Sequence, residues 1–316
     1  MASAEELRIM TRVAHMYYTE QIRQPQIAAR LGLSQARVSR LLKKAEAEGI
    51  VRITVSSPPG THPDLEDALQ QRYGLKLALV VDVAEDDEQH IINRLGAAAA
   101  YYLEATLRSD DVVGISSWSA SLLATVDAMH PLPALTGVRV VQILGGIGDP
   151  AAAEHATRLT DRMARIVGGE AVSLPSPGVA GSAASAKALR EDPFVAATMG
   201  LFDEISLALI GIGALEPSRV LAASGNVFSA DEIDELRDAG AVGDVCMRFF
   251  DADGESVDQA TADRVIAIDP DRLRAAPRSV AVAGGRRKTE AVRAALRGRL
   301  ANVLITDQFT ARRLAE

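Results

Sequence analysis

The chain has 316 residues, a net charge of −8, 48% hydrophobic residues and a single cysteine. That length holds two domains with a sizeable core, while the lone Cys246 excludes an internal disulfide framework and a cysteine-only metal site. No apolar run approaches the roughly 20 residues that span a bilayer, and no charged-then-apolar leader opens the chain, so a cytoplasmic protein without membrane contact is expected.

The charge is unevenly spread. Residues 1–57 carry nine Lys+Arg against five Asp+Glu (+4), and the remainder carries 25 against 37 (−12). A basic head on an acidic body suits a DNA reader attached to something that does not itself hold DNA.

The first expected element is a helix over Ala4–Tyr18, with Leu7, Ile9, Met10, Val13, Ala14 and Tyr17 as its core contribution. Gln24–Val55 then reads QPQIAARLGLSQARVSRLLKKAEAEGIVRITV, the pattern of a helix, a tight glycine turn, a second helix and a short β-wing. Pro25 suits a first helical turn, where its missing N–H is not needed. Ile27, Ala28 and Leu31 fall at helical spacing, and Gly32 follows where the chain needs positive φ. Ser34 stands where an N-cap is wanted. Val38, Leu41, Leu42 and Ala45 form the buried stripe of the second helix. Ser34, Gln35, Ala36, Arg37, Ser39 and Arg40 lie on other faces, where they reach base edges or nearby phosphates, and Lys43 and Lys44 meet phosphates. Gly49 ends the helix, and Ile50, Val51, Ile53 and Val55 supply the wing. The segment is a winged helix-turn-helix, a device that places one helix in the major groove of double-stranded DNA. A pair of ordinary surface helices is the competing reading; cap, turn, stripe and basic face together argue against it.

Ser56–Pro63, SSPPGTHP, stops both helix and sheet and marks a boundary between a DNA-binding domain over 1–57 and a second domain over 58–316. A helix is expected over Asp64–Tyr73. Beyond it, apolar strand runs recur at Leu77–Val83, Val112–Ser116, Val138–Leu144, Ala171–Leu174, Ile205–Ile212, Val245–Phe250, Val265–Ile268, Val280–Ala283 and Val303–Thr306. Helical stretches separate most of them: His90–Leu107, Ser119–Met129, Ala151–Val167, Ala184–Leu189, Asp231–Ala239, Thr289–Leu296 and Thr310–Leu314. Continuous Val/Ile/Leu strands between helices indicate a mostly parallel, Rossmann-like α/β sheet buried on both faces.

In such a sheet the ligand site lies beyond the C-terminal ends of the strands. The strand ends here carry SSWSAS after Ser116, GGIGD after Leu144, GIGA after Ile210, GAVGD at Gly240–Asp244, GGRRK after Ala283 and TD after Ile305. Glycines let backbone N–H groups approach a ligand, and Ser hydroxyls at a helix N-terminus favour an anion such as phosphate. Lys288 can serve as a point charge or a donor to a sugar oxygen. Asp244 and Asp307 can accept from sugar hydroxyls, and Trp118 offers a flat apolar face. Each residue also has a structural reading: serines capping the next helix, Trp118 in the core, Lys288 solvated, Asp307 as an N-cap. Neither a Walker A nor a GxGxxG fingerprint is present, so no nucleotide cofactor is expected. The five histidines show no metal-ligand spacing, so no metal is expected either. Cys246, within VCMRFF, reads as a buried small hydrophobe.

Taken together, the helix-turn-helix segment and the pieces DVVGISSWSASLLATVDAM, ILGGIG, LALIGIG, GAVGDVCMRFFDADG, SVAVAGGRRKTEAVRAAL and NVLITDQFTARRL resemble a SorC-type sugar-binding transcriptional regulator over essentially the full length. The resemblance implies an effector domain similar to sugar-phosphate isomerases, control of a carbohydrate catabolic operon by a sugar phosphate, sugar or polyol, and a homo-oligomer, typically a dimer of dimers (homotetramer). It places phosphate at Ser116, Ser117, Trp118 and Ser119, near Gly145 and Gly146, and the sugar end at Asp244 and Lys288. Gly211, Gly213 and Gly225 complete the candidate set. SSWSAS departs from the family pattern, with one added residue and Ser119 where glycine is often found.

The expected mechanism is linkage: effector closes loops at the strand ends, packing between effector domains changes, and the spacing of two or more DNA heads changes with it. The alternative is a sugar-phosphate isomerase or deaminase carrying a DNA-binding head. Such an enzyme needs a positioned general base, for which Asp244 or Asp307 is the candidate. Regulation without catalysis is the favoured expectation.

Overall fold

The computed structural model describes residues 4–52, 58–146, 159–216, 228–257 and 259–316. The chain separates into two compact units, Met1–Pro58 and Pro59–Glu316.

The first unit packs three helices: α1 (Ala4–Ala14), which runs on into a π-helical turn at His15–Thr19, α2 (Gln24–Leu31) and α3 (Gln35–Ala47). Pro25 lies in the first turn of α2, and Gly32 ends that helix at a φ of 63°. Ser34 caps α3 by accepting the Arg37 N–H. Met10, Val13, Ile27, Val38, Leu41 and Leu42 form the core, with Tyr17, Ile50 and Val51 half-buried against it. Leu7 and Ile9 do not join it; each is 38% exposed. Ile9 sits one residue off the Met10–Val13–Ala14 stripe, and Leu7 lies in the open first turn. The outer part of the expected wing, Ile53 and Val55, lies outside the described residues, as does Ser56 of the linker.

The second unit begins with α4 (Pro63–Tyr73) and builds a seven-stranded sheet from β1 (Leu77–Val81), β2 (Val112–Ile115), β3 (Arg139–Gln142), β4 (Glu170–Val172), β5 (Leu207–Ile210), β9 (Arg278–Val282) and β10 (Val303–Asp307). The order is β1-β10-β9-β5-β2-β3-β4, and every pair is parallel. Three short strands, β6 (Gly213–Ala214), β7 (Gly243–Val245) and β8 (Arg248–Phe250), form a separate antiparallel sheet.

Both faces of the main sheet are apolar because successive side chains alternate between two layers. In β5, Leu207 and Leu209 join one layer and Ala208 and Ile210 the other. The first layer is covered by α5 (Glu88–Thr106), α6 (Ala120–Ala128) and α7, helical through 159–166, which contribute Leu95, Leu103, Leu122 and Met163. The second is covered by α4, α13 (Thr289–Arg297) and α14 (Gln308–Ala315), which contribute Leu69, Val292 and Leu314.

The topology fixes where a ligand can sit. From β2 the chain winds outward through β3 to β4; from β5 it winds the other way, through β9 to β10. β2 and β5 are neighbours, so the loops leaving them diverge and open a crevice at this switch point.

Two sequence expectations change. Val265–Ile268 is not a sheet strand: its backbone makes isolated bridges, Ala267 with Leu144 and Val265 with Val179. An apolar run shows that a segment is buried, not which partner accepts its hydrogen bonds. Val245–Phe250 is not one strand but the turn and second arm of a hairpin, with Cys246 and Met247 both at positive φ (52° and 62°) between β7 and β8. Positive φ at both central residues is the geometry of a two-residue hairpin turn, here made without glycine. Helices α9 (Pro193–Gly200), α11 (Gln259–Arg264) and α12 (Pro270–Ala275) were not expected; α8 (Ala183–Glu191) and α10 (Ala230–Asp238) were. The three unexpected helices are eight residues or fewer.

Candidate DNA-reading face and effector cleft

In the head, α3 presents Gln35, Ala36, Arg37, Arg40 and Lys43 to solvent, with Ser39 half-buried beside them. Arg40 Nε donates to the Ala36 carbonyl at 3.3 Å, which lays its guanidinium back along the helix. Lys44 differs from the rest. Its ammonium lies 2.6 Å from the Glu6 carboxylate, tying α3 to α1. The Ser34 hydroxyl is engaged in the cap.

In the body, the C-terminal ends of β2 and β5 meet at the switch point. The Ser116 N–H donates to the Leu209 carbonyl at 3.2 Å, and Gly211 N–H approaches the Ser116 hydroxyl at 3.5 Å. A cleft opens here, lined by Ser116, Trp118, Ser119, Gly211, Gly213, Asp244 and Lys288 together with Glu88, Ile92, Leu144, Glu216, Cys246, Met247 and Arg287. Ser119 also caps α6, accepting the Leu122 N–H. Trp118 is 7% exposed, and its indole N–H has no hydrogen-bond partner among the described residues.

Asp244 reaches the cleft from β7. It pairs with Gly213 of β6, where a side-chain carbon would stand 1.9 Å from the Asp244 Oδ1, so only glycine admits the carboxylate. Its other oxygen accepts the Met247 N–H at 2.9 Å and so braces the hairpin turn. Burial pushes the Asp244 carboxyl up to about 6, against the opposing pull of that N–H and of the Lys288 charge. Lys288 comes from the short helical turn Arg286–Lys288 after β9. Burial pulls its ammonium below the usual lysine range, Arg287 adds to that, and Glu88 and Asp244 oppose it. No ion pair joins Asp244 and Lys288 among the described residues. Cys246 is buried, and burial together with Asp244 pushes its thiol up to about 12, so it is not a thiolate nucleophile.

Other candidates are placed elsewhere. Ser117 is buried, donating to the Leu144 carbonyl at 3.2 Å. Gly145 packs on the Ser176–Pro177 backbone, and its N–H donates to the Ile266 carbonyl. Gly146 is buried and does not line the cleft. Gly225 lies outside the described residues. Asp307 is fully buried and its oxygens are occupied: Oδ1 accepts the Phe309 and Thr310 N–H groups, and Oδ2 accepts the Gly285 N–H and the Thr310 hydroxyl. It is the N-cap of α14 and the anchor of the Gly284–Gly285 loop, with no capacity left for a sugar hydroxyl or a substrate proton. Sequence reasoning missed Glu88, Ile92, Glu216 and Arg287. The RR pair beside Lys288 and the acidic run Glu85–Glu88 were the available signal.

A three-helix DNA-reading unit followed by a parallel α/β unit with a cleft at its switch point defines a ligand-responsive DNA-binding regulator. Residues 57–316 match the Sugar-bind family ("Putative sugar-binding domain"), and residues 17–52 match the HTH_24 family ("Winged helix-turn-helix DNA-binding"). The deoxyribonucleoside regulator of Bacillus subtilis is 33% identical over 98% of this chain and 98% of its own. The erythritol catabolism regulatory protein EryD of Brucella abortus is 31% identical over 99% and 98%. The crystal structure of the full-length sorbitol operon regulator SorC of Klebsiella pneumoniae superposes with a TM-score of 0.73 at 26% identity, covering 99% of this chain and 100% of that one. The chain belongs to the Sugar-bind family of SorC-type transcriptional regulators. Among the described residues no helix is long and apolar enough to cross a membrane.

Proposed function

We propose that the cleft of residues 59–316 binds a phosphorylated sugar, free sugar or polyol, and that occupancy tunes the grip of α3 on an operator. The observation that carries this reading is the pair Asp244 and Lys288. Asp244 is buried and Lys288 half-buried on one cleft without an ion pair between them, an arrangement that costs stability unless a ligand supplies partners. Asp244 offers an acceptor, Lys288 a donor, and the unpartnered Trp118 N–H a second donor. That set fits a polyhydroxylated molecule, whose hydroxyls donate and accept at once. The relatives' names point the same way, to a deoxyribonucleoside, sorbitol and erythritol.

The cleft serves binding rather than turnover in this reading. Asp307, one of two candidate bases, is fully engaged in capping. On the DNA side, Gln35, Arg37, Ser39, Arg40 and Lys43 read or flank the duplex, and Lys44 contributes from its place beside Glu6. Two or more copies of the chain act together, in the dimer-of-dimers arrangement, because a change in head spacing is what a two-half-site operator can sense.

Trp118 is the sole tryptophan. Its fluorescence therefore reports cleft occupancy, and a titration with sugars, polyols and sugar phosphates, repeated in a gel-shift assay, tests the proposal. A compound that shifts both signals supports it. Fluorescence changes that survive unaltered in Asp244→Asn and Lys288→Met overturn it. Light scattering of the free protein checks the oligomer.

A further inference from the structure

Two charged segments face each other at the effector cleft. The loop after β9 carries Arg286 and Arg287 in succession, and the segment leading into α5 carries Asp86 and Glu88. Arg287 Nη2 donates to Glu88 Oε1 at 3.1 Å, and its Nη1 reaches the Glu216 carbonyl at 3.4 Å. One residue back, Arg286 lies 3.5 Å from Asp86, which Arg313 also engages. Glu88, Glu216 and Arg287 all line the cleft. The guanidinium thus straps the helix on one side of the cleft to the loop on the other.

We propose that Arg287 is the residue by which the cleft selects an anionic effector, and that Glu88 occupies it until the effector's phosphate or carboxylate displaces the carboxylate. The proposal rests on the reading of the cleft as the effector site. Three observations carry it. First, the pair is weakly held. The Arg287 and Glu88 side chains are 37% and 55% exposed, so water screens their attraction. Second, Glu88 is the first residue of α5, where the helix N-terminus stabilises a carboxylate on its own, so release of Arg287 leaves no stranded charge. Third, a guanidinium meets a phosphate through two parallel N–H donors, a geometry its single contact to Glu88 does not use. Lys288 is a poorer anion reader, because burial works against its charge. Exchange at Arg287 also gives the cleft a mechanical output. It frees the N-terminus of α5, which packs along α6, the helix that starts from the Ser116–Ser119 loop.

The test uses the full chain, Trp118 fluorescence and two matched probes, ribose 5-phosphate and ribose. Glu88→Gln removes the competing charge while keeping the side-chain shape. It should tighten ribose 5-phosphate by about two- to fivefold, the range an exposed ion pair can return, and leave ribose unchanged. Arg287→Gln should weaken ribose 5-phosphate at least about tenfold, and in the double variant Glu88→Gln should have no further effect. Circular dichroism confirms that each variant is folded. Equal tightening of both probes by Glu88→Gln, no tightening, or an Arg287→Gln variant that binds ribose 5-phosphate like the parent would each overturn the proposal. A parent that shows no preference for the phosphorylated probe, even near its solubility limit, overturns it too. Asp244→Asn separates the two levels: if it abolishes binding while the Arg287 and Glu88 variants behave as the parent, the cleft stands and the strap fails. If it changes nothing, the cleft reading itself has failed.

Discussion

The two candidate sites handle charge in opposite ways. On α3 the groups proposed to meet DNA, Arg37, Arg40 and Lys43, stand in water; in the cleft Asp244 is buried and Lys288 half-buried, and both are shifted from their ordinary ionisation. An exposed cation costs nothing to keep and gains affinity through released counterions, so it suits a long polyanion that is read at many points. A buried charge destabilises the empty protein, but each contact it makes away from water is stronger and more discriminating. The head is built for additive, salt-sensitive attraction, and the cleft for a few contacts whose loss is felt individually.

Asp244→Asn should give the largest effect and break the comparison most directly. Its carboxyl titrates from an unfolded value of 3.8 to about 6 in the fold. The native state therefore binds more protons than the unfolded chain between these values, and stability falls as pH rises through that window and stays low above it. Removing the charge should stabilise the ligand-free protein at pH 7 by on the order of 2–3 kcal/mol. The same substitution should weaken effector binding about 10- to 100-fold, because a hydrogen bond to a charged group is lost. In the unsubstituted protein, effector affinity should fall as pH drops through about 6, where the acceptor becomes protonated. Thermal melts with and without effector across pH 4–8 check both halves, and a variant that loses stability at pH 7 would contradict the burial argument.

How much of this could be read from the residues follows the range of the interactions. Pro25, Gly32 and Ser34 act within one or two turns of chain, and the helix-turn-helix they punctuate was legible. The strands of the main sheet were legible too, because burial on both faces writes an unbroken apolar run. What failed depended on distant partners. Val265–Ile268 has the composition of a strand but bonds to loops. Asp244 and Asp307 stand at comparable strand ends in the sequence, yet Gly213 opens space around one while Gly285 and Thr310 fill the lone pairs of the other. Arg287 was not singled out as a cleft residue, although it stands in the GGRRK strand end beside Lys288, because Glu88, its partner, is 199 positions away.

The head should respond in smaller, graded steps. Arg37→Ala or Arg40→Ala should each cost about 1–3 kcal/mol of operator affinity if the side chain reads a base edge, and relax preference at that position. Fluorescence anisotropy with a selected operator duplex and its single-base variants measures it. Uniform weakening on every duplex would assign the residue to phosphate instead. Ser34→Ala removes the α3 cap and should cost about 1 kcal/mol of head stability, visible as a lower melting temperature.

The smallest effect sharpens the comparison most, since it asks whether every exposed cation on α3 counts alike. Lys43 is free in solvent, whereas Lys44 is held 2.6 Å from Glu6 with both side chains 41% exposed. A cation already paired has fewer counterions to release when DNA arrives. Lys43→Ala should therefore reduce the slope of log affinity against log salt by about 1, as expected for one lost phosphate contact, and Lys44→Ala should reduce it by less. Glu6→Gln should move Lys44 toward the behaviour of Lys43, raising affinity at low salt and steepening the slope. The gain should stay within the roughly 0.2–1 kcal/mol that exposed pairs are worth. Equal slopes for the two lysine variants would mean that α1 does not hold Lys44 back, and that the head, unlike the cleft, keeps none of its charges in reserve.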